Sequence, residues 1–170
     1  MPRVPLFGND MAATAIEQRV FFREERQLRP AASRHLDAAR ILAGHESQLM
    51  EAMFHARLSA ECLLKHLFCL VRFVRGAYAD TPADFVKLVL PKDEYRHNVK
   101  QLGVFLLKQP ELVRSKALER LVRLFPGGED WNIERYAAAT KAADAHERFA
   151  QFFEALQTLV TDVDEGVMDA

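Results

Sequence analysis

The stretch from Ser47 to Arg75 constrains the fold more than any other part of this 170-residue chain. It contains neither glycine nor proline, and its first half is rich in Leu and Ala, which are strong helix formers. A helix of this length spans about 43 Å at about 1.5 Å per residue. From Leu63 to Val74 apolar residues fall on nearly every helical face, which is typical of a buried helix. The stretch therefore predicts a long central helix wrapped by other helices.

The composition indicates a single helical domain of ordinary size. Hydrophobic residues make up 49% and charged residues 28%, which excludes a disordered chain and a coiled-coil rod. Only 7 glycines and 7 prolines leave room for few, short connections between helices. The formal net charge of -1 creates no global field, so nucleic acid or a membrane surface would need a local patch to bind.

The cysteines and the apolar runs bear on localisation. Cys62 and Cys69 lie about 10 Å apart along the predicted central helix, too far for a disulfide, and we expect buried reduced thiols. No apolar run has the length of a signal peptide or of a membrane span. These features predict a cytoplasmic protein with no membrane partner.

Apolar spacing and capping signals predict further helices on both sides of the central one, and no segment predicts a strand. A flexible arm, 1–10, precedes an additional N-terminal helix. The loop Pro126-Gly127-Gly128 separates the last two helices. The predicted flanking helices run from Met11 to Leu28, from about Ser33 to Gly44, from Thr81 to Pro91, from Lys92 to Lys108, from Pro110 to Phe125, and from Ile133 or Ala137 to Val163.

Patterns of catalytic and metal-binding residues are sparse. A di-iron bundle needs two Glu-x-x-His pairs, and Glu94 with His97 is the single pair in this chain. No phosphate-binding glycine loop and no Gly-x-Ser-x-Gly turn occurs. We therefore expect neither a metal nor a cofactor. Five scattered histidines show no partner pattern and are expected at the surface or at interfaces: His35, His45, His55, His66 and His146.

Arginines are concentrated near the N-terminus. Intervening glutamates dilute their charge, which favours a solvated amphipathic face, and a phosphate-binding face is the alternative. The arginines concerned are Arg19, Arg23, Arg26, Arg29, Arg34 and Arg40.

Four short motifs, in order, resemble those of the HEPN (higher eukaryotes and prokaryotes nucleotide-binding) family. The first is a Leu-x-x-Ala-x-x-Leu helix, and the second is an Ala-x-x-x-Ala-Glu-x-x-Leu-Lys segment on the long helix. A His-Asn-Val-x-x-Leu helix and an Arg-Tyr entry to the last helix follow. The resemblance covers 35–163. Its residues are Leu36, Ala39, Leu42, Ala56, Ala60, Glu61, Leu64, Lys65, His97, Asn98, Val99, Leu102, Glu134, Arg135 and Tyr136.

The resemblance implies an all-α, up-and-down bundle around the long central helix. It implies a homodimer, in a family linked with RNA cleavage, nucleotidyltransferase partners, and toxin–antitoxin or phage-defence systems. The family's ribonuclease motif places a His four to six residues after an Arg near the later helices, and the interval from Arg135 to His146 is too long. Formal matches occur only near the N-terminus, from Arg40 to His45 and from Arg29 to His35.

We therefore expect a non-catalytic module that binds a nucleotide or RNA or partners a nucleotidyltransferase. A metal-independent endoribonuclease and a purely structural interaction protein are the alternatives.

Six of the motif residues form a candidate polar cluster. Glu61 and Lys65 are an i,i+4 pair in the favoured orientation. Arg135 and Tyr136 reach His97 or Glu61 if the last helix packs antiparallel to the central one. A structural cluster is one interpretation, because buried charges need partners, and a ligand or partner site is the other. The cluster comprises Glu61, Lys65, His97, Asn98, Arg135 and Tyr136.

Overall fold

The protein is described by a computed structural model that covers residues 3–5, 23–74, 99–109, 112, 115–125, 142–165 and 167–169. Within these ranges there are five α-helices, one short 3₁₀ turn at Glu46–Gln48, and two three-residue strands. The helices are α1 (Arg23–Ala43), α2 (Leu49–Val74), α3 (Val99–Leu106), α4 (Lys116–Leu124) and α5 (Ala142–Glu165). The strands are β1 (Arg3–Pro5) and β2 (Val167–Asp169).

The long helix α2 is the centre of the bundle. It packs against α1, α3 and α5. Its second half is buried on several faces, as shown by Leu63, Leu64 and Leu67, none of which is exposed to solvent. The prediction of a buried central helix is confirmed, with ends that differ by one or two residues from those predicted. The all-α bundle predicted from the sequence is confirmed with it.

Helices α1 and α2 form an antiparallel hairpin joined by the turn around His45. Alanines line their contact, including Ala32, Ala39 and Ala56, all fully buried. The Ser59 hydroxyl donates a 2.7 Å hydrogen bond to the Ala32 carbonyl across this contact. Small side chains and a direct hydrogen bond to the facing backbone bring the two helices close together.

The helix break predicted at Pro30 is wrong, because α1 continues through it. A proline inside a helix removes a backbone hydrogen bond and costs about 3 kcal/mol. Pro30 is exposed, so its ring stays outside the core. Ala32 and Leu36, in the next turn and a half, are buried in the core. Tertiary packing of α1 thus outweighs the local breaking signal, and the part of the predicted N-terminal helix before Arg23 lies outside the described residues.

Helix α4 begins later than predicted. Pro110 was expected to open it, but the helix starts at Lys116. The Ser115 side chain accepts a hydrogen bond of 3.1 Å from the Leu118 backbone N–H, which is the geometry of an N-terminal cap. Leu112 precedes this cap and is buried without belonging to the helix. The local capping preference of Ser115 therefore sets the boundary.

The two strands are a feature that the sequence did not predict. Arg3 pairs with Asp169, and Pro5 pairs with Val167, in antiparallel register. Three residues are too few to show the alternation by which a strand is recognised. Part of the predicted flexible arm is therefore a strand, and the remainder of the arm lies outside the described ranges.

Several other sequence predictions fall on residues that the structure does not describe. They are the helix from Thr81, the first part of the helix from Lys92, the Pro126-Gly127-Gly128 loop, and the start of the last helix before Ala142. Among the helices that are described, none combines the length and the hydropathy that crossing a membrane requires.

Candidate functional site

Two members of the predicted polar cluster, Glu61 and Lys65, are in contact. The Lys65 Nζ lies 2.5 Å from the Glu61 Oε1. Glu61 is only 7% exposed, and a buried carboxylate left without a cation is costly, so Lys65 stabilises it within the same helix. The other members, His97, Asn98, Arg135 and Tyr136, lie outside the described residues, and the larger cluster stays a prediction.

The orientation of the last helix bears on that cluster. Both α2 and α5 run antiparallel to α1. Along α1, Ala32 and then His35 meet Ser59 and then His55 of α2. Likewise, Arg29 and then Arg40 meet Asp164 and then Phe153 of α5. Helix α5 therefore runs in the same general direction as α2. The antiparallel packing under which Arg135 and Tyr136 would approach Glu61 is not the arrangement found for α5.

The remaining motif residues with described side chains point mainly inward. Leu42 is half-buried, and the others are buried. They contribute to one continuous core cluster. These residues therefore act as packing positions in this chain. The buried residues are Leu36, Ala39, Ala56, Ala60, Leu64, Val99 and Leu102.

Cys62 and Cys69 form no disulfide. Cys69 is buried, as the sequence predicted, whereas Cys62 is half-buried. Burial raises the pKa of the Cys62 thiol, and the neighbouring Glu61 carboxylate adds to the effect. Cys62 is therefore protonated at neutral pH and is a poor nucleophile.

Two of the N-terminal arginines connect α1 to α5. The Arg29 Nε donates to the Asp164 Oδ1 at 2.8 Å, its Nη2 contacts the Asp164 Oδ2, and its Nη1 donates to the Ser33 Oγ at 2.7 Å. The Arg40 guanidinium lies 5.9 Å from the centre of the Phe153 ring. Arg29 and Arg40 thus have intramolecular partners, which does not support a phosphate-binding role for them.

The other four arginines of that group are less informative. Arg34 is exposed on α1. The side chains of Arg23 and Arg26, and Arg19 as a whole, lie outside the part of the chain that the structure describes. The choice between a solvated and a phosphate-binding face stays open for these arginines.

His66 lies beside the Arg29–Asp164 ion pair. Burial and, to a smaller extent, the positive charge of Arg29 lower the pKa of His66 to about 4, and Asp164 opposes the shift. His66 is therefore a neutral imidazole at physiological pH. Three helices contribute to this cluster, since Arg29 is on α1, His66 on α2 and Asp164 on α5.

His35 and His55 form a pair that the sequence analysis missed. Their Nδ1 atoms are 3.0 Å apart and their ring centres 5.3 Å apart, with a tilt of 32° between the rings. Burial lowers the pKa of His35, and the neighbouring His55 and Arg34 add to this. The sequence showed no partner pattern for these histidines, and the structure places the two at the contact between α1 and α2. One signal was available, because both lie ten positions from His45 at the hairpin turn, and a hairpin brings such positions together.

The two Arg-to-His intervals that match the spacing of the ribonuclease motif, Arg29 to His35 and Arg40 to His45, do not bring the arginine and the histidine into one site. Arg29 engages Asp164, while His35 engages His55. Arg40 donates to Asp37 at 3.0 Å, whereas His45 is exposed at the turn that follows α1. The members of each match therefore serve different partners.

An open groove of about 680 Å³ lies beside α3 and α4. The Lys100 Nζ donates to the Phe125 carbonyl at 3.0 Å, so the amine satisfies the C-terminal end of α4. The described lining residues are Lys100, Leu107, Leu112, Glu119, Val122 and Arg123.

No group of three or more His, Cys, Asp or Glu side chains within the described ranges is arranged to hold a metal ion. Comparison with known proteins gives no match, since neither a family model, nor a curated protein, nor a solved structure matches the chain.

Proposed function

We propose that this protein is a HEPN-like binding module that does not cleave RNA. Its task is to hold a nucleotide or an RNA, or to partner a nucleotidyltransferase, as a homodimer in a defence or toxin–antitoxin system. The proposal rests on where the residues of the HEPN-like motifs lie in the structure. Those described pack mainly into the core of the helical bundle, and the one buried carboxylate among them, Glu61, is paired with Lys65 on its own helix.

The engagement of the N-terminal arginines and histidines supports a non-catalytic role. The resemblance implies that a metal-independent ribonuclease of this family would use an Arg and a His as a pair across a dimer. Arg29 is committed to Asp164 and Ser33, and Arg40 to Asp37, while their sequence neighbours His35 and His45 lie elsewhere. The histidines to test for cleavage are therefore His45, which is exposed at the hairpin turn, and His97, which lies outside the described residues.

The binding function is tested by a melting panel of the full chain with nucleotides, tRNA and total RNA. A ligand that binds only the folded state raises the melting temperature as its concentration rises. We expect at least one nucleotide or RNA to do so. A flat panel supports the purely structural alternative and contradicts binding of a nucleotide or RNA.

The enzymatic alternative is tested with the same RNAs. We expect tRNA and total RNA to remain intact after incubation with the protein. Cleavage that disappears in His97→Ala or in His45→Ala would establish a ribonuclease instead. Cleavage that persists in both variants but does not co-elute with the protein on size exclusion comes from a contaminating nuclease, whereas cleavage that co-elutes with the protein contradicts the non-catalytic proposal.

The expected homodimer is tested by sedimentation equilibrium. The 19.4 kDa chain should have twice its monomer mass at micromolar concentration. A monomer across the measured range contradicts that part of the proposal, while leaving the binding function to the melting panel.

A further inference from the structure

The contact between His35 and His55 joins the two long helices of the hairpin. The ring centres are 5.3 Å apart, and the Nδ1 atoms are 3.0 Å apart. The difference equals the sum of the two distances from ring centre to nitrogen, which is expected when both nitrogens lie on the line between the ring centres. The nitrogens therefore face each other directly. One of them must donate a proton and the other must accept it, because two acceptors or two donors would repel.

We propose that His35 and His55 form a two-histidine binding site for a divalent transition-metal ion, which clamps α1 to α2. The inference is independent of the proposed nucleotide or RNA binding. Zn²⁺, Ni²⁺ and Cu²⁺ are the fitting ions, because imidazole nitrogen is among their preferred ligands. The ion replaces the shared proton as the link between the rings, but it lies off the line between the nitrogens, because half of the 3.0 Å separation is shorter than a metal–nitrogen bond.

The separation of the two nitrogens fits an ion. With metal–nitrogen distances of about 2.0–2.1 Å, two nitrogens on one ion lie about 2.9 Å apart at a right angle and about 3.4 Å apart at the tetrahedral angle. The observed 3.0 Å falls between these values. Each ring has to turn from the observed orientation, in which the two nitrogens face each other, so that its lone pair points to the ion. The donor imidazole carries its proton on Nε2 once Nδ1 binds the ion.

The surroundings leave the ion accessible. Both histidines are half-buried, so solvent reaches the pair. The Phe54 ring packs edge-on against the His55 ring at 5.6 Å between centres and restrains it. The protein supplies two ligands and water completes the coordination, so the affinity is below that of structural zinc sites with four protein ligands. The positive charge of the adjacent Arg34 also opposes the ion.

The site is tested by calorimetric titration of the untagged full chain with Zn²⁺, Ni²⁺ and Cu²⁺, each as the metal alone. We expect one ion per chain. Loss of an outer-shell partner costs about 10–100-fold in metal affinity, so loss of a ligand in His35→Gln or His55→Gln should weaken binding by at least about tenfold. The matched control is His146→Gln, which removes an exposed histidine on α5 and should leave the affinity unchanged.

A second measurement covers variants that fail to fold. In the wild-type chain, paramagnetic Ni²⁺ or Cu²⁺ at substoichiometric ratio should broaden the imidazole NMR signals of His35 and His55 before those of His45 and His146. Equal broadening of all histidines, unchanged affinity in the pair variants, or absence of binding by the wild type would overturn the proposal. In that case the pair is a hydrogen bond between helices and nothing more.

Discussion

Arg29 and Asp164 are joined by two guanidinium nitrogens although 135 positions separate them in the chain. The pair fixes the start of the described part of α1 to the end of α5. Eleven residues further along α1, Arg40 lies over Phe153, which is eleven residues earlier in α5. The two contacts therefore set the same antiparallel register, and His66 lies beside the first of them.

We expect the Arg29–Asp164 pair to contribute a small amount of stability. Two-nitrogen arginine–carboxylate pairs are stronger than single contacts, but Asp164 is exposed, and exposed pairs contribute about 0.2–1 kcal/mol. Asp164→Asn should lower the free energy of unfolding by an amount in that range. Chemical denaturation of Arg29→Gln, Asp164→Asn and the double variant measures the coupling. Purely additive effects would show that the two residues do not interact in solution.

His66 makes stability depend on pH. The folded state holds the pKa of His66 at about 4, below the ordinary value of 6.5, so between these values the unfolded chain binds more protons. Stability is therefore fully present above pH 6.5 and falls as the pH drops toward 4. At about 1.4 kcal/mol per pKa unit, the loss approaches about 3 kcal/mol.

The measurement is urea denaturation at pH values from 7 to 4. His66→Gln should have a flatter profile than the wild type over this window, because a glutamine does not titrate. His146→Gln, on the exposed face of α5, is the control and should retain the wild-type slope. Identical slopes for wild type and His66→Gln would show that His66 is not the titrating group.

Gly103 permits the close approach of α3 and α4. A Cβ atom placed at Gly103 would lie 2.3 Å from the Val122 Cγ2, well inside van der Waals contact. Alanine is favoured over glycine by about 1 kcal/mol inside a helix, whereas overpacking costs about 1–3 kcal/mol, so we expect Gly103→Ala to be neutral to destabilising by about 2 kcal/mol. In a Val122→Ala background the same change should be stabilising. Thermal unfolding of the four proteins measures this reversal, and equal effects in both backgrounds would exclude the clash.

The buried face of α2 is tested by placing a charge in it. Leu64 and Leu67 are fully buried, and an unpaired carboxylate there is very costly. Leu64→Asp or Leu67→Asp should abolish cooperative unfolding, as followed by circular dichroism. Ile41→Asp is the control, because Ile41 is 69% exposed, and it should retain the wild-type melting temperature. A helical, cooperatively folding Leu64→Asp protein would contradict the packing described.

The sequence predicted the features that depend on local patterns. Helix α2 follows from a glycine- and proline-free apolar run, and its packing residue Leu64 follows from helical spacing. The break expected at Pro30 was wrong, because burial of Leu36 and its neighbours is a tertiary effect that local propensity does not contain. Contacts such as Arg29 with Asp164 depend on how distant helices align. His35 with His55 was accessible in principle, since both lie equally far from the hairpin turn.

The central claim is that this helical module binds RNA or a nucleotide without cutting it. Its most direct test is an equilibrium binding titration of labelled tRNA, with recovery of the same RNA on a denaturing gel. We expect the signal from labelled tRNA to saturate with protein concentration, or a nucleotide to compete with the tRNA for the protein. We also expect the recovered RNA to be full-length at every protein concentration. Defined fragments that appear in proportion to the protein and vanish in His97→Ala or His45→Ala would contradict it.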